Sequence, residues 1–140
     1  MKIVWIIDNK YRELYGLYDL KKKLSNLNIK LYLFYIPIWK TAIDLVNPNV
    51  VVVPNLGKTS CEPIVRYAEK KKIDIFMHSS EGMYYSDKIQ SVKYPLQLIK
   101  KIKKILVWGK NDAKYVIIKK PDAIHKVFND AGNACFIISF

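Results

Sequence analysis

The chain has 140 residues, of which 51% are hydrophobic and 26% are charged, a composition that favours one packed domain and excludes a disordered chain. Lysine and arginine number 24 against 12 aspartate and glutamate residues, and the net charge of +12 predicts a polyanionic neighbour. The longest uncharged apolar run, 31–39, is interrupted by Pro37 and is far shorter than the roughly 20 residues that span a bilayer.

Short β-branched runs without polar alternation predict strands buried on both faces of a parallel sheet. Lys2–Ile7 and Val50–Val53 are such runs. The other predicted strands are Ile29–Tyr35, which is rich in Tyr, Phe and Leu, Ile73–Met77 and Ile105–Trp108. Helical spacing and helix-end signals between them predict helices over 12–26, 38–46, 59–72, 95–103 and 111–119. The alternation predicts an α/β fold: a single Rossmann-like domain with a doubly wound parallel sheet in three α/β/α layers. The apolar end, 136–140, is consistent with a last strand or an interface.

Lysine clusters occur in or just after the last turns of the predicted helices, at 21–23, 70–72, 100–104 and 119–120. The helix dipole favours cations there, which explains much of the clustering. In this fold, helix C-termini lie at the sheet edge opposite the ligand crevice, so the lysines are available to an anionic membrane surface. Nucleic acid is the weaker alternative, because core packing accounts for most of the ten tyrosines.

Sequence motifs for common cofactors are missing. Gly57-Lys58-Thr59 follows a valine strand, but a phosphate-binding loop also requires glycine where this chain has Val52. No G-x-G-x-x-G pattern follows the first strand, so neither NAD binding nor ATP hydrolysis is predicted and no cofactor is expected. Cys61 and Cys135 lack metal-ligand spacing, so no metal site is predicted and both are interpreted as reduced thiols.

Polar side chains follow the predicted strands at their carboxyl ends, which meet at one rim of the sheet. Asp8 and Glu81 are candidate general bases toward a sugar hydroxyl, and Lys10 and Arg12 are candidates for binding an anionic group. The other candidate ligand-binding residues at this rim are Asn9, Gly16, Asn55, Gly82 and Trp108. Structural roles are equally good interpretations of two acids in this region. Asp8 could cap the following helix, and Glu13 could be a first-turn carboxylate that the helix dipole favours.

Three segments, in this order, resemble the N-terminal half of bacterial surface-carbohydrate biosynthesis glycosyltransferases: IIDNKYRELYG at 6–16, SEG at 80–82 and VWGKNDA at 107–113. The resemblance implies a GT-B architecture of two Rossmann-like domains, related to enzymes that elongate capsule, lipopolysaccharide and teichoic-acid-like polymers. In that architecture the N-terminal domain holds the acceptor and the C-terminal domain holds the nucleotide-sugar donor.

The sequence departs from this family near its end, where a G-N-P-R-F-D motif opens the second domain. Here Gly132-Asn133 is followed by Ala134-Cys135-Phe136. The resemblance therefore implies an acceptor-side domain over 1–120 and an atypical tail over 121–140, with the donor domain absent. A truncated chain of this kind is expected to be inactive in sugar transfer alone.

The expected partners are a carbohydrate acceptor, a nucleotide sugar when a second domain is present, and an anionic membrane surface. The apolar end of the chain also allows a homo-oligomer. The first apolar run, Ile3–Ile7, is too short for a signal peptide, which predicts a cytoplasmic protein at the inner face of the plasma membrane. The alternative is a non-catalytic flavodoxin-like module that binds a nucleotide or a polyanion.

Overall fold

The computed structural model describes residues 1–54, 61–78, 96–107, 124–127 and 136–139. Strands and helices alternate along most of these ranges. In chain order they are β1 Lys2–Ile7, α1 Lys10–Ser25, β2 Lys30–Tyr35, α2 Trp39–Val46, β3 Val50–Pro54, α3 Cys61–Lys70, β4 Asp74–His78, α4 Leu96–Ile99, β5 Lys104–Val107, β6 Ile124–Val127 and β7 Phe136–Ser139. A short 3-10 turn, Ile36–Ile38, leads into α2.

Within the described ranges the strands form one sheet in the order β2-β1-β3-β4-β5-β7-β6. The first five strands run parallel, whereas β7 pairs antiparallel with both β5 and β6. Strand β1 is central to the early pairing, since Ile3 lies opposite Leu31 of β2 and Val50 of β3. The predicted Rossmann-like α/β fold is confirmed, and its strand order reverses direction between β1 and β3.

The core is divided by the sheet into two layers, as the uninterrupted valines of β3 predict. Val51 and Val53 contact the layer beneath α2 and α3, and Val52 points to the opposite layer beneath α1. Both faces of β3 are therefore covered, and every residue of this strand is buried. A strand covered on both faces has no solvent side on which polar residues could alternate.

Tight backbone turns end α1, α2 and α3, with Asn28, Asn47 and Lys72 at φ of 57°, 46° and 57°. At the end of α3, the Ile73 N–H donates to Ala68 O and the Lys72 N–H donates to Glu69 O, both at 2.9 Å. This pair of bonds is the Schellman arrangement, which satisfies carbonyls that the helix leaves open. Each turn directs the chain into the following strand.

The helix predicted over 95–103 is shorter than expected, because α4 ends at Ile99. Leu98 and Ile102 are both buried at helical spacing, which accounts for the longer prediction. The Lys103 N–H, however, donates to Ile75 O of β4 at 2.8 Å, so the backbone has already joined the sheet. The end of the chain adopts β-structure at Phe136–Ser139, one of its two predicted roles. The helix predicted over 111–119 lies outside the described residues.

Candidate functional site

The candidate site is built where β1 ends and α1 begins, beside the point at which the strand order reverses. Strand β1 is buried up to Ile7, and Asp8 and Asn9 follow it. Open α/β sheets bind ligands at this position, outside the carboxyl ends of the strands. The first turn of α1 therefore decides which side chains line the crevice.

Asn9 caps α1 through its side chain and its backbone. Its Oδ1 accepts from the Tyr11 N–H at 3.0 Å, and its N–H donates to Glu13 Oε1 at 3.1 Å. The arrangement is a variant of the capping box, with the returning carboxylate one residue later than usual. Because both partners are engaged, the turn between Asp8 and Glu13 has a fixed shape.

Glu13 is a buried acid, with its side chain 4% exposed. Burial raises its pKa above the ordinary value of 4.5, against the lowering effect of the Asn9 hydrogen bond and of the Arg12 charge. In the part of the chain that the structure describes, Glu13 Oε2 has no hydrogen-bond partner although it is fully covered. A carboxyl that holds its proton above its usual range is a candidate acid or base when it borders a crevice.

Arg12 lies between two acids. Its Nη2 is 3.8 Å from Asp8 Oδ2 and 3.9 Å from Glu13 Oε1, and its side chain is 40% exposed. These distances are long for ion pairs, and the exposed guanidinium keeps donors available to an anionic ligand. The cluster thus combines a half-exposed cation with one accessible and one buried carboxylate.

His78 approaches the same region from the carboxyl end of β4. Its ring packs against the Trp5 indole, with centroids 5.1 Å apart and planes tilted by 60°. Burial, followed by the positive charge of Arg12, lowers the pKa of His78 to about 4. The imidazole is therefore neutral at physiological pH, and the positive charge of Arg12 disfavours its protonation.

Exposed tyrosines continue the surface along α1. Tyr11 and Tyr15 are 87% and 84% exposed, and Leu14 and Tyr18 are exposed on the same side of the helix. Lys10 Nζ lies 4.8 Å from the Tyr11 ring centroid. Core packing, which was expected to account for most of the tyrosines, does not account for these three, because the buried residues of α1 are Glu13 and Leu17.

Of the residues predicted from sequence, Asp8, Asn9, Lys10 and Arg12 lie together at the start of α1. Gly16 lies inside that helix, and a Cβ added there would meet nothing within 4 Å. The other predicted residues, Asn55, Glu81, Gly82 and Trp108, lie outside the described residues.

Two residues of this region, Glu13 and His78, were not candidates from the sequence. The four-residue spacing of Asn9 and Glu13 is a usable signal, because it permits a side chain to reach back to the capping backbone. The burial of Glu13 depends on how α1 packs against the sheet, and the contact of His78 depends on β1 bringing Trp5 beside it, neither of which a local pattern reports. Among the described residues, no His, Cys, Asp and Glu side chains are grouped to hold a metal ion. In the same ranges, no helix is long and apolar enough to cross a membrane.

Comparison with family models and with curated proteins gives no match to this sequence. Among solved structures, the chain is similar to UDP-GlcNAc 2-epimerase from Methanocaldococcus jannaschii, with a TM-score of 0.59 and 12% identity over 85% of this chain and 42% of that one. It is also similar to the pseudo-receiver domain of the CikA protein, with a TM-score of 0.51 and 10% identity over 83% of this chain and 93% of that one. Likeness at such low identity shows the fold alone, and both comparisons agree with a Rossmann-like α/β fold.

Proposed function

We propose that this chain is the acceptor-side half of a glycosyltransferase-like enzyme that acts in the assembly of cell-surface polysaccharide. The observation that carries the proposal is the grouping of Asp8, Arg12 and Glu13 at the carboxyl end of β1. The likeness to UDP-GlcNAc 2-epimerase supports it, because the chain spans 42% of that enzyme, as one half of a two-part molecule does. Sugar transfer then requires a second part that binds the nucleotide sugar.

In the proposed reaction, an acceptor hydroxyl attacks the anomeric carbon of the donor sugar, and the nucleoside diphosphate leaves with the electron pair of the broken bond. Asp8 is the base that takes the hydroxyl proton, and Arg12 binds an anionic group on the acceptor. Glu81, which lies outside the described residues, is the second candidate base. Asn9, Lys10, Asn55, Gly82 and Trp108 are proposed to complete the acceptor site.

The exposed tyrosines fit a carbohydrate acceptor. The apolar C–H face of a pyranose ring packs well on the face of an aromatic ring. The tyrosine hydroxyl remains in water, where it can hydrogen-bond to the sugar hydroxyls. Tyr11 and Tyr15 are four residues apart, so their rings are neighbours on the surface of α1. Arg12 lies on the same turn, so an anionic sugar could contact the guanidinium and a tyrosine ring together.

A second candidate is a non-catalytic module that binds a nucleotide or a polyanion. One observation favours it: the likeness to the CikA pseudo-receiver domain covers 93% of that domain, a complete unit of similar size. The two candidates differ in their ligands. An acceptor half binds a glycan, whereas a flavodoxin-like module binds a planar nucleotide such as FMN.

Thermal unfolding of the intact chain separates these candidates, because a ligand that binds the native state raises its stability by about 2.7 kcal/mol at 100 times its Kd. The probes are a synthetic glycerol-phosphate glycan oligomer, UDP-GlcNAc and FMN. We expect the oligomer to raise Tm by several degrees, and Arg12→Gln and Tyr11→Ala to remove most of the increase. Lys22→Gln, at the far end of α1, is the matched charge control and keeps the increase.

Other outcomes contradict the proposal. An increase in Tm with FMN alone supports the non-catalytic module. An increase with UDP-GlcNAc that Arg12→Gln abolishes assigns the crevice to a nucleotide and not to an acceptor. If Lys22→Gln loses as much binding of the oligomer as Arg12→Gln, the oligomer binds the lysines and the β1 crevice is not its site.

A further inference from the structure

The edge of the sheet at which the parallel strands begin is lined by lysines. We call it the lysine edge, and it also contains the ends of α1, α3 and α4. It lies on the side opposite Asp8, Arg12 and Glu13, which we call the Asp8 cluster. The described lysines that lie there are Lys2, Lys21, Lys22, Lys23, Lys30, Lys70, Lys71, Lys72, Lys100, Lys101, Lys103 and Lys104.

Acidic residues neutralise little of this charge. Among the described residues, the acids of the lysine edge are Asp44, Glu69 and Asp74, and each pairs with one lysine, the first at 2.6 Å and the last at 2.7 Å. Twelve lysines against three acids give the edge a net charge of +9. All other described side chains together carry +1, so the charge of the described part of the chain is concentrated on one side.

Helix dipoles account for the position of some of these lysines but not of all of them. They favour cations within the last turn of a helix, which applies to Lys22, Lys23 and Lys70. Lys2 also serves a helix end, because its Nζ donates to Val46 O in the last turn of α2. Lys30 and Lys104, by contrast, are the first residues of strands β2 and β5. Like charges held side by side repel, so a cluster of this size is favourable when an anionic surface is present.

Exposed aliphatic side chains lie among the lysines. Leu27 is 69% exposed in the turn between α1 and β2, and Leu45 is 77% exposed in the last turn of α2. Hydrogen bonds to backbone carbonyls keep both near the basic residues. The Asn28 N–H donates to Ser25 O at 3.0 Å, which holds the Leu27 turn, and Lys2 Nζ donates to Val46 O at 3.0 Å, next to Leu45.

We propose that the lysine edge docks on an anionic phospholipid bilayer, with Leu27 and Leu45 entering the headgroup region and the surrounding lysines contacting phosphates. Apolar side chains between cations are the composition of surfaces that lie in the membrane interface. RNA is a poorer match, because bases stack on aromatic rings and these two side chains are aliphatic. The proposal does not depend on the function assigned to the Asp8 cluster.

A cleft on this edge has the lining that a lipid headgroup requires. It measures about 240 Å³ and lies between the end of α1 and the start of β2. Lys21, Lys30 and the Ser25 hydroxyl supply donors for a phosphate, and Ile29, Leu31 and Tyr32 supply an apolar wall for the glycerol. We assign this cleft to one phosphate headgroup of the bound bilayer.

Co-sedimentation of the intact chain with vesicles tests the proposal. The vesicles contain 30% phosphatidylglycerol in phosphatidylcholine, or phosphatidylcholine alone, at low and high salt. Each basic residue near an anionic leaflet strengthens binding about fivefold, so Lys21→Gln/Lys30→Gln should weaken it about 25-fold. Leu27→Ser/Leu45→Ser should remove the binding that survives high salt. Arg66→Gln removes one charge inside α3, where Arg66 pairs with Glu62, and is expected to change binding less than about twofold, against about fivefold for Lys30→Gln alone.

Three results would overturn the proposal. The first is sedimentation that does not depend on phosphatidylglycerol or salt. The second is a loss in the Arg66→Gln control equal to that in Lys30→Gln alone, which would show attraction by net charge alone. The third is displacement from vesicles by a 20-nucleotide RNA, together with unchanged vesicle binding in Leu27→Ser/Leu45→Ser, which would assign the edge to nucleic acid. Circular dichroism confirms that each variant folds.

Discussion

Asn9 and Glu13 are joined twice: the Asn9 N–H donates to Glu13 Oε1 at 3.1 Å, and the Glu13 N–H donates to the Asn9 carbonyl at 3.1 Å. One contact caps α1 and the other is the first bond of that helix. Together they hold Arg12, which lies between them in the chain, beside Asp8. The residues that begin the helix are thus the residues that shape the crevice.

Replacement of Glu13 by glutamine should change the pH dependence of stability. Burial raises the pKa of Glu13 above 4.5, so the folded protein keeps this proton to a higher pH than the unfolded chain does. The free energy of unfolding therefore falls as pH rises through that range. Glu13→Gln cannot ionise, and we expect its stability relative to the unsubstituted protein to increase between pH 4 and pH 8. Urea unfolding at several pH values measures the difference.

The alanine variant of Glu13 is the structural control for that experiment. Glu13→Ala removes the acceptor for the Asn9 N–H and the buried side chain, and we expect it to be about 1–2 kcal/mol less stable than Glu13→Gln at every pH. Neither variant can ionise at this position, so the difference between them measures the lost contacts and not the proton. Equal destabilisation of both variants at pH 7 would show that the carboxylate is ionised and well paired in the folded state.

His78 should make the protein less stable in acid. The unfolded imidazole takes up a proton near pH 6.5, whereas burial and Arg12 hold the pKa of the folded His78 at about 4. Between these values the unfolded state binds more protons, so the free energy of unfolding falls as pH decreases, by at most about 3 kcal/mol. His78→Phe keeps a ring against Trp5 and should flatten this slope. An imidazole resonance that titrates near pH 6.5 in the folded protein would contradict the prediction.

Trp5→Phe should lower the free energy of unfolding by less than is usual for the loss of part of a large buried side chain. The Trp5 indole is 6% exposed, and in the described part of the chain its Nε1 has no hydrogen-bond partner. Leaving a buried donor unsatisfied costs about 1–3 kcal/mol, and phenylalanine has no such donor, so the substitution removes this cost. It also removes part of the packing against His78, which offsets the gain. We expect a net change below about 1 kcal/mol by chemical denaturation. A loss above about 3 kcal/mol would indicate that the indole N–H is well satisfied.

Lys72→Gly should stabilise the end of α3. Lys72 has a φ of 57°, a left-handed conformation that costs a residue with a Cβ about 1 kcal/mol or more and costs glycine little. We expect a gain of about 0.5–1 kcal/mol in the free energy of unfolding. Lys70→Gly, inside the same helix, removes an equal charge and should instead destabilise by a similar amount. Stabilisation by both changes would attribute the effect to charge repulsion.

The sequence predicts the first five strands because each is a compact apolar run, and Val50–Val53 needs no partner to be recognised as a buried strand. It also predicts that Asp8, Asn9 and Arg12 share one turn, since they are close in the chain. It does not predict the buried state of Glu13, which depends on how α1 rests on β1. Nor does it predict the end of α4 at Ile99, because a backbone bond from Lys103 to β4 overrides helical spacing.

The distance between the two ends of the sheet has one more consequence. A strand of six residues is roughly 20 Å long, whereas mobile ions attenuate the field of an exposed charge within about 8 Å at physiological ionic strength. The many cations at Lys30 and its neighbours therefore exert little influence on the guanidinium of Arg12. Each end can be altered by substitution without disturbing the chemistry of the other.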